Sequence, residues 1–164
     1  MSELVGEVQR KTAIAWLTVG EAPAYGVWCL GVDDALYVIS GPDEQPAPGL
    51  AGAAEALVTA RGDHGGRIVT WPVTVTRVWP GTDEWDTVAP QLAAKRLNAT
   101  GTAEAVVARW AAGCAISRLA PSGGPILTGG ALPDDGQAAA PVPTPATNRT
   151  RKPFKLHRVR RSPR

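Results

Sequence analysis

The 164 residues amount to about one domain, and the formal charge of +2 conceals a split: nine basic against thirteen acidic residues through Ala120, but eight Lys and Arg with no acid from Asn148 onward. That distribution excludes a basic binding surface on the main body, and two isolated cysteines, Cys29 and Cys114, exclude a disulfide framework or a zinc site. MSELVGEVQRK is too polar for a signal peptide, and no apolar run approaches the roughly 20 residues that span a bilayer, so a cytoplasmic protein with no membrane partner is expected.

Ser2 to Lys11 reads as a short helix. TAIAWLTV, Thr12 to Val19, reads as a strand, because Thr, Ile, Trp and Val suit a pleated, half-buried surface. YGVWCLGV, Tyr25 to Val32, and ALYVIS, Ala35 to Ser40, flank Asp33-Asp34 as a hairpin. Gly41 to Leu50, with three prolines, is a loop that ends in one helical turn near Pro48-Gly49-Leu50. Ala54 to Arg61 is the next strand, and the Gly62 to Gly66 loop that follows presents His64 to solvent.

RIVTWPVTVTRVW, Arg67 to Trp79, has the clearest period of two, with Val69, Trp71, Val73 and Val75 on one face. Pro72 cannot donate to a ladder, so the strand should bulge or meet an edge near its middle. Thr82 is an N-cap with Asp83 and Glu84 in the first turn. The helix should kink or restart at Pro90 and stop near Asn98. A second helix runs from Thr102 to about Ala112, and CAISRL, Cys114 to Leu119, is a last strand. Strands without crossover helices between them predict an antiparallel, mainly β barrel or sandwich. The domain is expected over 1–120, and 121–164 as a disordered Pro/Ala/Gly-rich linker with a basic tail.

No catalytic arrangement stands out. His64 and His157 belong to no spaced metal set, and Walker, GxSxG and GxGxxG motifs are absent. Trp16, Trp28, Trp71, Trp79, Trp85 and Trp110 read mostly as core and interface residues, with Trp28 the best platform for a planar ring. Ser40, Gly41 and Gln45 sit where phosphate donors would converge at a strand end, and Arg61 could reach the same mouth.

The succession TAIAWLTV, YGVWCLGVDDALYVISGPDEQPAPGL, ALVTARGDHGGRIVTWPVTVTRVWPGTDEW and DEWDTVAPQLAAKRLN resembles the pyridoxamine 5′-phosphate oxidase-like, flavin-binding split-barrel family in its actinobacterial type, over roughly Thr12 to Leu119. The resemblance implies a six-stranded antiparallel Greek-key split barrel with two or three short helices. It implies a homodimer that holds FMN, or the deazaflavin F420, between subunits, with Trp28 and Ser40 lining the groove. The activity implied is a flavin-dependent oxidation or reduction of a small molecule. The loop after the third strand carries Asp43 and Glu44 and no cation before Arg61, so Arg61, Arg67 or a second subunit must neutralise the phosphate. The alternative is a cofactor-less split-barrel dimer that works as a binding or structural protein. The tail over 149–164, RTRKPFKLHRVRRSPR from its arginine onward, would add weak nucleic-acid or other anionic binding.

Overall fold

The computed structural model describes residues 3–61, 67–97 and 100–128, all within the first of two units, Met1–Leu132. The side chains of Arg67 and Ile68 lie outside the described set, as do His64, Asn98, His157 and the basic tail. Helix α1 (Glu3–Lys11) leads into β1 (Ile14–Thr18). Strands β2 (Tyr25–Trp28), β3 (Leu30–Val32), β4 (Ala35–Ser40), β5 (Glu55–Arg61) and β6 (Arg67–Val78) follow, with a 3-10 turn at Leu50–Gly52 between β4 and β5. Helices α2 (Asp83–Lys95) and α3 (Ala103–Gly113) precede β7 (Ala115–Pro121) and β8 (Leu127–Thr128).

Every strand pair is antiparallel, in the order β2-β1-β5-β6-β7-β4-β3. The two ends of that path, β2 and β3, are halves of the single run expected over Tyr25 to Val32, broken only at Cys29. The sheet therefore closes on itself, nearly completely, as a mainly β barrel. The expected six strands become eight among the described residues: one is split at Cys29, and β8 is added beside Val69 and Thr70 of β6.

Pro72 explains β8. The carbonyl of Pro72 accepts from Ser122 N–H at 3.0 Å. In a strand, N–H and C=O of one residue face the same neighbour, so the missing donor of Pro72 falls where β7 ends at Pro121. The expected edge is there, and β8 takes over beyond it through Ile126 N–H to Thr70 O at 2.9 Å. A segment with little apolar content is thus recruited by open backbone rather than by hydrophobicity.

The interior is filled by the barrel's own side chains: Leu17, Val27, Leu36, Val38, Val58, Val69, Trp71, Val73 and Leu119 form one cluster, with Val5 of α1 and Leu50. Strand β4 is buried along its whole length. Leu36 and Val38 face the barrel, and Ala35, Tyr37 and Ile39 face a second cluster built from Trp85, Val88, Leu92, Val106 and Trp110 of the helices. This two-sided burial is why ALYVIS is a continuous apolar run rather than an alternating one. The Tyr37 hydroxyl donates to Glu84 Oε1 at 2.9 Å and latches α2 to the sheet; burial, then that bond, pushes its pKa up.

Both threonine caps form: Thr82 Oγ1 accepts from Trp85 N–H at 3.2 Å and Thr102 Oγ1 from Ala105 N–H at 3.3 Å. Helix α2 neither stops nor restarts at Pro90. Burial of Trp85, Val88, Ala89, Leu92 and Ala93 outweighs the roughly 3 kcal/mol that an interior proline costs.

The Asp33-Asp34 hairpin turn holds Asp33 at φ 51°, between Val32 and Ala35, which pair directly. An L-residue there carries a penalty of roughly 1 kcal/mol that glycine escapes. Asp33→Gly is expected to raise stability by about that amount. Urea unfolding reads it, and an unchanged or lowered midpoint would contradict the strain.

Candidate cofactor groove

A filled interior leaves the outer face and the rim for a ligand. Side chains that alternate outward on β1 and β5 are Ile14, Trp16 and Thr18, and Glu55, Leu57, Thr59 and Arg61. Trp16 pairs with Gly26 of β2 on one side and Thr59 of β5 on the other. A Cβ built at Gly26 would stand 3.8 Å from Trp16 Cε2, so the indole lies against the backbone there. The Arg61 guanidinium covers the Trp16 ring at 4.2 Å from its centroid, a cation–π contact.

Arg61 also pairs with Arg67 across the β5–β6 hairpin, next to a bulge between Ala60 and Arg61. The register thus sets the backbone of Arg61 opposite that of Arg67 at this end of the strands, with the Trp16 indole under Arg61 and Ile14 exposed on the neighbouring strand.

The loop after β4 does different work. Gln45 inserts its amide between two strands: Oε1 accepts from Trp28 N–H at 2.6 Å, and Nε2 donates to Trp28 O at 2.7 Å and Ile39 O at 3.1 Å. The β3–β4 ladder stops at Leu30↔Tyr37, and the side chain continues it by one rung in place of backbone. Glu44 is buried, its side chain 3% exposed. Its Oε2 accepts from Arg96 Nε at 2.8 Å and its Oε1 from Trp110 Nε1 at 2.9 Å, which pins both helices to the loop.

Gly41 has φ +143°, and a Cβ there would meet Cys114 Cα at 2.9 Å and Sγ at 3.0 Å. Ser40 is buried and pairs with Ala115. Trp28 packs with Leu30 and Val32 against the helix-side cluster. Ser40, Gly41, Gln45 and Trp28 are therefore brought together, but through contacts that close the barrel. Arg61 and Arg67 pair by backbone on another rung, and the ring under Arg61 is Trp16.

Two solved structures share this architecture. HutZ, the heme storage protein of Vibrio cholerae, is 13% identical with a TM-score of 0.57, over 75% of this chain and 91% of its own. A pyridoxamine 5′-phosphate oxidase-like protein from Listeria innocua is 10% identical with a TM-score of 0.51, over 73% of this chain and 93% of its own. The fold is the pyridoxamine 5′-phosphate oxidase-like split barrel. No protein-family model and no curated protein matches the sequence.

Within this split barrel, chemistry by thiol or metal has no support among the described residues. Burial pushes the Cys29 thiol up to about 12. Burial and then the Glu44 carboxylate raise that of Cys114, so both stay protonated near neutrality. No group of three His, Cys, Asp or Glu gathers among the described residues, and no helix there is long and apolar enough to cross a membrane. What the described residues do show on the outer face is a cation–π pair, the Arg61 guanidinium over the Trp16 indole. Trp16, read from sequence as a core or interface residue, lies half-buried on the outer face of β1. Gly26, directly across the strand pair, makes room for that indole.

Proposed function

We propose that this split barrel binds a flavin-class cofactor, FMN or F420, on the outer face of β1 and β5, and that a homodimer so loaded oxidises or reduces a small molecule. The supporting observation is the pairing of Arg61 with Arg67 on one rung beside Trp16. A phosphate at that rung gains charge-assisted hydrogen bonds from the exposed Arg61 guanidinium. Trp16 supplies an aromatic edge for the ring system. A bound flavin would provide the hydride chemistry, and the protein would provide binding and orientation. Exposed Ile14 and half-buried Trp16 and Leu57 give that face the apolar character suited to a second copy.

FMN titrated into the full chain should quench tryptophan fluorescence. The Arg61→Ala, Arg67→Ala double variant should bind at least tenfold more weakly, on the order of 1.4 kcal/mol per tenfold. Equal affinity in the two proteins removes the rung from the site. F420 and hemin are parallel arms, since heme also combines a planar ring with acid groups and the Vibrio cholerae neighbour is described as storing it.

A second reading rests on the loop after β4. Glu44 and Gln45 are fully engaged in holding the fold, so this loop has no cation and no spare amide to offer a phosphate. It describes a cofactor-less dimer that serves as a binding or structural protein. Sedimentation as a dimer, with no quenching by FMN, F420 or hemin, would select it. The basic segment over 149–164 suits weak, salt-sensitive contact with nucleic acid in either reading. Equal retention of full-length and tail-deleted protein on a DNA column at low salt would refute that contact.

A further inference from the structure

The Trp16 ring is not an open platform. The Arg61 guanidinium covers one face of it, 4.2 Å from the centroid. From across the strand pair the Gly26 backbone lies against the indole, where a Cβ would stand 3.8 Å from Cε2 and 3.9 Å from Cζ2. A planar ligand can stack on the covered face only after the guanidinium has moved.

The cover is held weakly. Among the described residues, Arg96 and Arg118 pair with carboxylates, whereas Arg61 pairs with the indole. Arg61 is exposed at the end of β5, and its aliphatic stem lets the head swing without moving the strand. The adjoining rung adds no competing acid: Thr59 and Thr70 share a hydrogen bond at 2.8 Å. Glu55, the acid on this face of β5, sits at the opposite end of the strand. A cation–π contact at an exposed site is weaker than a charge-assisted hydrogen bond to an anion.

We infer that Arg61 is a displaceable cover on Trp16, and that it makes this face selective for planar ligands bearing a phosphate. The phosphate draws the guanidinium off the ring, and the uncovered indole then takes the ligand's ring. A neutral ring offers the guanidinium nothing, so it binds only by breaking the cation–π contact. The selectivity rests on the proposal that this face binds a flavin; the cover does not.

Riboflavin and FMN, which differ by the phosphate, are the probes. Titrated into the full chain, FMN should bind more tightly than riboflavin. Arg61→Ala should weaken FMN binding yet tighten riboflavin binding by about two- to fivefold, the affinity equivalent of an exposed cation–π contact. Affinities that move together, or a riboflavin affinity that does not rise, overturn the inference. If neither flavin binds either protein, the flavin reading fails, and acrylamide quenching of the same proteins decides the cover. The Trp16 share of the quenching, taken as the difference from Trp16→Phe in each background, should rise in Arg61→Ala. A rise keeps the cover and rejects the flavin; no rise overturns both.

Discussion

Replacing Glu44 by alanine is expected to cost about 3 kcal/mol of folding stability, the expected range for breaking a buried charge pair. The carboxylate is almost fully buried and accepts from Arg96 at 2.8 Å and Trp110 at 2.9 Å. Its removal leaves the Trp110 N–H, on a fully buried indole, without an acceptor. Arg96 is partly exposed and recovers some hydration, which keeps the loss at the lower end of that range. Glu44→Gln retains an acceptor for Trp110 and should cost about half as much. Urea unfolding of the three proteins decides it. A loss under about 0.5 kcal/mol for the alanine variant would equate this pair with an ordinary surface salt bridge.

Gly41→Ala should be at least as damaging, on the order of 3 kcal/mol. Two independent penalties combine: a φ of +143° that side chains avoid, and a Cβ 2.9 Å from the α-carbon of Cys114. That neighbour is backbone at the α3–β7 junction, so it cannot swing away as a side-chain tip would. A Cys114→Ala background should rescue little, because the clash with the main chain persists. Full rescue in that background would show that the thiol sulfur, at 3.0 Å, was the real obstruction. Both variants test the same physical statement, that the loop between β4 and the 3-10 turn is a clamp between helices and sheet.

Most elements were legible from periodicity and capping. Thr82 and Thr102 announce their helices because a side-chain oxygen must meet the free N–H groups of the first turn. The β6 strand shows itself through Val69, Trp71, Val73 and Val75, since that face is packed throughout while Thr74 and Thr76 on the other are exposed. Pro72 correctly signalled an interruption. Pro90 did not end its helix, because the burial of apolar residues along α2 is a tertiary quantity. The β8 strand could not be read at all: its two residues pair with a gap in β6 that exists only once β7 has turned away.

The candidate groove divides the same way. Local rules of pattern, caps and turn residues were sufficient to reach an antiparallel, mainly β chain with its helices late, because each depends on neighbours within a few positions. The tertiary structure alone decided which polar residues were already engaged. Asp43 and Glu44 read as obstacles to a phosphate, and Gln45 as a donor to one, until folding brought Arg96 and Trp110 to Glu44, and Trp28 and Ile39 to Gln45. It also set Arg61 opposite Arg67 and over Trp16. Those partners are up to 66 positions apart, and a hydrogen bond or cation–π interaction over a few ångströms leaves no trace in sequence spacing of that length.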